Sequence, residues 1–233
     1  MKVSPLEFDK IFKQVESNSI TREVGSKLHQ TDGPNSDSDL ISIYYDSRDD
    51  RRVFKYYPDV LHDKDSDHKL YSLREFARLL EAGNPNALEL VQSLYPKSPR
   101  VIAWGKGSGV PQIEVFTNRV RPYVFHTGFF SACLGHSFGV MTGLENNHST
   151  PWSGKQAKIA AHGVRVAYLG LLKHVTETEI QTIRDVKFEV KTKEETLNLM
   201  KDLVSQLQVK VNTQNLPSSE GLKEVINDFF TLI

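Results

Sequence analysis

Short apolar runs and helical periodicities alternate in the first part of the chain. Ser4 and Pro5 are typical of a helix start, because a serine cap is followed by proline at the first helical position. The apolar residues that follow recur at helical spacing, so residues 5–16 are predicted to form an amphipathic helix. Residues 19–24 and 40–45 are apolar-bearing runs between polar, turn-rich segments, and we predict a strand over each.

Two further helices are predicted before the middle of the chain. Ser72 is placed to cap a helix whose buried face has five apolar members, Leu73, Phe76, Ala77, Leu79 and Leu80. Gly83 ends this helix. Asn84 and Pro85 begin the next helix, whose apolar residues continue as far as Leu94.

The second part of the chain is predicted to be helical. Residues 96–109 are rich in Pro, Gly and Ser, which indicates a boundary. Beyond it, helical periodicity predicts a long apolar helix broken near Pro122, a helix over 155–174, a short helix or turn over 176–185, and closing helices over 192–209 and 220–232. We therefore expect an α+β fold, with a small mixed sheet in residues 1–95 and a helical domain, residues 96–233, that closes a cleft against it.

Composition limits the class of protein. The 233 residues are 39% hydrophobic and 25% charged, which is ordinary for a globular protein of one large or two small domains. Cys133 is the sole cysteine, so an intrachain disulfide and a four-cysteine zinc site are excluded. The formal net charge is zero, so no global basic field indicates nucleic-acid binding. No apolar run approaches the roughly 18 residues of a spanning helix, and we expect a cytoplasmic protein without a membrane partner.

Candidate chemistry is concentrated between Gly25 and Leu40. Gly25 allows the backbone to approach a phosphate closely, and Ser26 offers it a hydroxyl and an N–H group. Asp37 and Asp39 stand at the start of the second predicted strand, where the period-two geometry of a strand places both carboxylates on one face. Two carboxylates this close repel each other unless a cation neutralises them, and a hard divalent ion such as Mg²⁺ suits such a pair.

A second group of candidate residues lies on the predicted helix over 155–174. Lys158, His162 and Arg165 are spaced at i, i+4 and i+7, which places them on one face of that helix. Three groups that are cationic, or can become so, repel each other on one face unless they meet an anion. The alternative is a solvated basic stripe in which His162 is half-buried.

The order of these motifs resembles the DNA polymerase β superfamily of nucleotidyltransferases. In that signature a Gly-Ser pair is followed, after a spacer of about ten residues, by Asp-x-Asp, as in this chain from Gly25-Ser26 to Asp37 and Asp39. The spacer departs from the usual pattern, because residues 27–31 lack the small-aromatic-Gly turn that normally follows Gly-Ser. This departure puts the detailed geometry of the phosphate loop in question.

Further segments resemble one branch of that superfamily, the RNA-ligase-associated (RlaP-like) predicted nucleotidyltransferases of bacteria and phages. These segments are Ser-Asp-x-Asp at 36–39, Tyr-Ser-Leu-Arg-x-Phe at 71–76, Gly-Asn-Pro-Asn-x-x-Glu-Leu at 83–90 and the Lys-x-x-x-His-x-x-Arg helix at 158–165. Asn84 and Glu89 match positions of this pattern. They either line the site or only cap and brace it.

The resemblance implies a set of carboxylates that binds Mg²⁺ or Mn²⁺. Asp37 and Asp39 would be two of its members. A third carboxylate is expected a few residues before the Tyr-Ser-Leu-Arg segment, and Asp67 matches that register. Asp63 and Asp65 remain alternatives, because nothing except the family register separates them from Asp67.

The resemblance also implies residues that bind the nucleotide. Gly25 and Ser26 would cradle the phosphates, and the face of Lys158, His162 and Arg165 would bound the cleft opposite the carboxylates. On that face, Lys158 and Arg165 would neutralise phosphate charge, and His162 would do the same or donate a hydrogen bond.

The implied function is metal-dependent transfer of a nucleoside monophosphate from an NTP to a hydroxyl acceptor, with release of pyrophosphate. The acceptor is an RNA end, a protein or a small molecule, and the sequence leaves these possibilities open, together with the choice of NTP and the oligomeric state. The alternative function is a non-catalytic nucleotide- or protein-binding module that retains the same fold.

Overall fold

The computed structural model describes residues 2–33, 39–45, 59–63, 65, 67–91, 101–146 and 152–232. The strands in these ranges are β1 (Lys2–Val3), β2 (Ser19–Val24), β3 (Asp39–Tyr44), β4 (Val60–Asp63), β5 (His68–Ser72) and β6 (Val101–Trp104). They form one six-stranded sheet in the order β1-β4-β5-β3-β2-β6. The β1–β4 and β3–β5 pairs are parallel and the other neighbouring pairs are antiparallel, so the prediction of a mixed sheet is confirmed.

The described helices are α1 (Pro5–Val15), α2 (Gly25–Leu28), α3 (Leu73–Glu81), α4 (Pro85–Glu89), α5 (Gly109–Val120), α6 (Thr127–Asn146), α7 (Gly154–Leu172), α8 (Glu177–Lys187), α9 (Lys193–Thr213) and α10 (Glu220–Leu232). Single 3₁₀ turns cover Glu16–Asn18 and Arg121–Tyr123. None of the helices in the described ranges combines the length and the apolar character that crossing a membrane requires.

The helix predicted to continue towards Leu94 ends earlier, so this part of the prediction is wrong. α4 ends at Glu89, and the N–H groups of Leu90 and Val91 bond to the carbonyls of Ala87 and Leu88. These i→i+3 bonds tighten the chain into a turn instead of adding a helical residue.

Capping side chains start α3 and α4 as the sequence predicts. The Ser72 hydroxyl accepts a hydrogen bond from the Glu75 N–H at 3.1 Å. The Asn84 side-chain oxygen accepts from the N–H groups of Asn86 at 2.9 Å and Ala87 at 3.2 Å. Each cap satisfies donors at a helix start that have no partner within the helix.

The two faces of the sheet pack against different parts of the chain. One face meets α1 through a small core formed by Phe8, Val15, Tyr44, Leu61 and Leu70. The opposite face carries Ile41 and Ile43, which belong to the large core. Because side chains alternate along a strand, Asp39 has the same parity as Ile41 and faces the helical part of the molecule.

The large core extends across the predicted boundary between residues 1–95 and 96–233. It includes Ile20 and Phe76 from the first part and Phe116, Val164 and Phe229 from the second. β6, which lies within the predicted boundary segment 96–109, also pairs with β2 at the edge of the sheet. The helical part therefore packs directly on the sheet, and the division at residue 95 stays a prediction.

Replacing Gly83 by alanine should lower the free energy of unfolding by at least about 1 kcal/mol. Gly83 has a φ of +72°, and a Cβ there would lie 2.4 Å from the Gly128 carbonyl carbon and 2.4 Å from the Phe129 nitrogen. Urea denaturation of the variant and the wild type measures the change.

Gly139→Ala is the matched control. A Cβ on Gly139 meets nothing within 4 Å, and the residue lies inside α6. Alanine is the better helix former by up to about 1 kcal/mol, so this variant should be at least as stable as the wild type. Equal destabilisation by both substitutions would contradict the argument from backbone geometry.

Candidate functional site

The pairing of β3 with β5 brings two predicted acids to the same end of neighbouring strands. Leu40 is paired with His68 in the parallel register, and Asp39 and Asp67 are the residues directly before that pair. Asp37, the other member of the Asp-x-Asp motif, lies outside the described residues. The structure therefore places two of the three predicted carboxylates at the same edge of the sheet, Asp39 as the first residue of β3 and Asp67 directly before β5.

Gly25 lies directly against Asp39. Val24 pairs with Asp39 in the antiparallel register of β2 and β3, and Gly25 follows with a φ of +67°. A Cβ on Gly25 would lie 1.6 Å from the Asp39 Oδ2 atom, a space that only glycine leaves open. The backbone after β2 and the carboxylate of β3 therefore share one small space, and Ser26 follows immediately in α2.

The helical part supplies the opposite wall of this space. A cavity of about 340 Å³ lies between the sheet and helices α7 and α8. Every predicted site residue in the described ranges lines it: Gly25, Ser26, Asp39, Asp67, Lys158, His162 and Arg165. The i, i+4, i+7 spacing on α7 thus places its three side chains on one face of the helix, as predicted.

A second cavity, of about 290 Å³, adjoins the first and shares the wall that carries Asp39 and Asp67. Its remaining lining is largely apolar and includes Ile41, Tyr71, Phe76, Leu79 and Leu90. Asn84 and Glu89 also line it. The cleft therefore has a polar side and an apolar side, with the two carboxylates between them.

A buried ion pair joins the two walls. Arg165 and Glu89 are only 2% and 3% exposed, and the Arg165 Nη1 atom is in contact with the Glu89 Oε1 atom. Arg165 also donates from Nη2 to the Asn86 Oδ1 atom at 3.1 Å and to the His162 Nδ1 atom at 2.8 Å. The His29 Nε2–H donates to the Glu89 Oε2 atom at 2.9 Å.

This network gives Arg165 and Glu89 a structural role besides the roles predicted from the sequence. Glu89 lines the cleft and also takes part in the buried ion pair that braces it, and whether it belongs to a functional site stays a prediction. Arg165 bonds to the side chains of Glu89, Asn86 and His162, which hold its guanidinium within the protein. Its predicted contact with phosphate stays a prediction.

Burial controls protonation in the network. Burial lowers the pKa of the Arg165 guanidinium to about 9, which leaves it charged at neutral pH. Burial, and then the neighbouring His136, lower the pKa of His162 to about 4. Since the guanidinium donates to Nδ1 of His162, the neutral ring carries its proton on Nε2. Burial and the Arg165 charge hold the pKa of His29 well below its ordinary value.

The three alternatives for the third carboxylate lie in different environments. Asp67 lines both cavities, and its side chain is 72% exposed. Asp63 is buried and accepts a hydrogen bond from the N–H of Asp65 at 3.1 Å. Asp63 also lies close enough to His68 to act on its pKa, and the His68 ring packs at a tilt against Phe8 of α1, on the other face of the sheet. The placement supports Asp67, whose role stays a prediction.

The donor set of the cleft fits a hard divalent cation. Within the described ranges no cluster of three or more His, Cys, Asp or Glu side chains is placed to hold a metal ion. Asp39 and Asp67 nevertheless present carboxylate oxygens on one wall, and Mg²⁺ is usually held by one or two carboxylates together with water and substrate phosphates.

Sequence reasoning missed several residues of the cleft, among them two that can carry a positive charge, His29 and Lys187. His29 lines both cavities, and it belongs to the spacer that departs from the family pattern. Lys187 lines the polar cavity from the end of α8. No local signal marked Lys187, because its position depends on how α8 packs against α7 and the loop after α2.

The mixed sheet, with helices on both faces and a helical C-terminal half, is consistent with an α+β fold like that of the DNA polymerase β superfamily. Residues 8–101, less than half of the chain, match the model of the RlaP family, described as an RNA repair pathway DNA polymerase beta family. This match supports the resemblance seen in the sequence and a nucleotidyltransferase-like role. No curated protein sequence matches the chain.

The Glu89→Gln substitution should lower the free energy of unfolding by about 3–5 kcal/mol, because it leaves the buried Arg165 charge without its counter-ion. Chemical denaturation at neutral pH measures the loss. Glu145→Gln is the control, since the Glu145–Lys201 pair is solvent-accessible, and it should cost less than about 1 kcal/mol. Similar losses of unfolding free energy in the two variants would show that the buried Glu89–Arg165 pair contributes no more to stability than the exposed pair.

The protonation of His162 should make stability depend on pH. The folded pKa is about 4 and the unfolded value about 6.5, so below pH 6.5 the unfolded chain binds a proton that the folded chain rejects. Stability should therefore fall as the pH drops from 6.5 towards 4. The His162→Gln variant should lose less stability over this range in urea titrations, and parallel losses in variant and wild type would refute the assignment.

Proposed function

We propose that this protein is a metal-dependent nucleotidyltransferase, which moves a nucleoside monophosphate from an NTP to a hydroxyl acceptor and releases pyrophosphate. One observation carries the proposal. A single cavity is lined by the Gly-Ser turn, by two carboxylates of the sheet and by basic side chains of α7. These residues come from distant segments of the chain, and the sequence motifs alone predict each of them as part of the site.

The polar side of the cleft would bind the phosphates. Gly25 and Ser26 offer backbone N–H groups and a hydroxyl, and Lys158 offers an exposed ammonium group on the facing helix. His162 offers an Nε2–H donor, because its Nδ1 atom already accepts from Arg165. Arg165 would act chiefly as a positioning residue that holds His162 in the ring orientation this donation requires.

The carboxylates would hold the metal ion. Asp39 and Asp67, with Asp37 as the further ligand expected from the sequence, supply the oxygen donors that Mg²⁺ or Mn²⁺ prefers. A bound divalent ion would neutralise phosphate charge and favour ionisation of the acceptor hydroxyl. Asp67 is the more exposed carboxylate and lines both sides of the cleft, so it can also accept the proton of that hydroxyl.

The transfer exchanges one phosphorus–oxygen bond for another. The acceptor oxygen forms a bond to the α-phosphorus, while the bond from that phosphorus to the bridging oxygen of pyrophosphate breaks. The hydroxyl proton passes to Asp67. Lys158 and the Gly25-Ser26 turn stabilise the charge that develops on the leaving pyrophosphate, so most of the rate enhancement comes from positioning and electrostatics.

We propose an RNA end as the acceptor. The description of the matching family refers to an RNA repair pathway, and an RNA end carries the ribose hydroxyl that this chemistry needs. A protein hydroxyl or a small molecule would be identified by the same experiment, in which each labelled NTP is incubated with RNA, protein and small-molecule fractions in Mg²⁺ or Mn²⁺. Label in one fraction names the acceptor class. Nucleotide binding without any release of pyrophosphate would favour the non-catalytic alternative.

Asp39→Asn and Asp67→Asn should each lower nucleotidyl transfer by about 100-fold or more, because each removes a negative charge needed for metal binding or proton transfer. Pyrophosphate release and label transfer measure the rate. Asp202→Asn on α9, an exposed aspartate paired with Gln206, is the control and should keep wild-type activity. Full activity in Asp39→Asn would overturn the proposed function. Loss of activity in Asp65→Asn, with activity kept in Asp67→Asn, would identify Asp65 as the third carboxylate instead of Asp67.

A further inference from the structure

Lys187 lies in the last turn of α8, beyond the segment that matches the family model. It is half-buried and lines the polar cavity together with Ser26, Asp39 and Lys158. The proposed function does not use it. An ammonium group at this position nevertheless faces the same space as the Gly-Ser turn.

Hydrogen bonds connect Lys187 to the loop that follows Gly25 and Ser26. Its Nζ atom donates to the Thr31 carbonyl at 2.6 Å, and the Thr31 N–H donates to the Ser26 carbonyl at 2.9 Å. One turn earlier in α8, Arg184 donates from Nη1 to the Gln30 carbonyl at 3.3 Å. The ammonium is thus held beside the loop after Ser26, and it has two further N–H donors besides the one that bonds to Thr31.

The charges around Lys187 favour an anion between the helices. Burial lowers the pKa of Lys187, and so does the positive charge of Lys158 on α7, whereas Asp32 and Asp39 act in the opposite direction. Two ammonium groups from separate helices therefore repel each other across a cavity that also contains the Gly25-Ser26 turn. A polyphosphate placed between them would remove this repulsion.

We propose that Lys187 binds the pyrophosphate portion of the nucleotide and that it forms, with Lys158, a two-lysine clamp supplied by α7 and α8. The inference rests on the proposed function and adds a phosphate-binding residue to that site. A polyphosphate fits this site better than a nucleic-acid backbone does, because the two lysines flank a concave cavity and not an extended surface. The helical part of the chain thus contributes directly to binding of the leaving group.

The test is calorimetric titration of the full chain with inorganic pyrophosphate in Mg²⁺. Lys187→Gln should raise the Kd by about tenfold or more, the loss expected for a hydrogen bond to a charged group. Lys158→Gln should have a similar effect. Lys13→Gln, which removes an exposed lysine of α1 on the other face of the sheet, is the charge-matched control and should leave the Kd unchanged.

Three variants of Lys187 distinguish a contribution of its charge to phosphate binding from a purely structural role in bracing the loop. Glutamine can still donate a hydrogen bond to the Thr31 carbonyl, whereas methionine cannot. If Lys187 acts on phosphate through its charge, Lys187→Gln and Lys187→Met both weaken pyrophosphate binding. Lys187→Arg, which keeps the charge, then retains most of the wild-type affinity. If Lys187 only braces the loop, Lys187→Gln binds as the wild type does and Lys187→Met alone is weakened, and the proposal is overturned.

Two outcomes keep this inference apart from the proposed function. Wild-type affinity in Lys187→Gln, together with weakened binding in Lys158→Gln, would overturn the clamp and leave the nucleotidyltransferase assignment standing. A wild-type protein that binds neither pyrophosphate nor any NTP would overturn both.

Discussion

The buried ion pair between Glu89 and Arg165 is the contact on which the arrangement of the cleft depends. It joins α4, next to the sheet, to α7 in the helical part, and both side chains line the cleft. Charges removed from water are costly unless their hydrogen-bonding groups find partners, and Asn86, His162 and His29 provide some of these partners. Because His29 directly follows α2, the short helix that contains Gly25 and Ser26, the same network connects α2 to α4 and α7.

The spacer after Gly-Ser shows how this chain differs from the pattern it resembles. It lacks the usual small-aromatic-Gly turn, and Gln30 adopts a left-handed backbone with a φ of 56°, which is costly for a residue other than glycine. Its carbonyl and that of Thr31 accept hydrogen bonds from Arg184 and Lys187. Contacts from α8 therefore support a loop that lacks the usual turn residues.

Local patterns in the sequence were sufficient for most of the helices, for β2 and β3 and for most of the candidate site, whereas β1, β4, β5 and β6 were not predicted. Strand parity placed Asp39 on the face that meets the cleft, and helical spacing placed Lys158 and His162 together. Pairing between distant segments leaves no such local trace: β6 joins the sheet from within a segment that reads as a boundary, and Lys187 enters the cleft through the packing of α8. The third carboxylate shows the same limit: in the sequence only the family register separates Asp67 from Asp63 and Asp65, whereas the fold places Asp67 alone of the three on the cavity wall.

The proposed nucleotide is a polyanion, and the charges that line the polar cavity bear on how a chain of zero formal net charge would bind it. The charge of Arg165 is offset by Glu89, and the low pKa of His162 leaves that ring neutral. Among the described residues, the remaining charged side chains on the cavity wall are two lysines and two aspartates, so the net charge of the wall is close to zero. A wall with a net charge near zero attracts neither an anion nor a divalent cation strongly. Once one of these ions is bound, its charge attracts the other. Nucleotide and metal binding should therefore be coupled, and by thermodynamic reciprocity each should strengthen the other by the same factor.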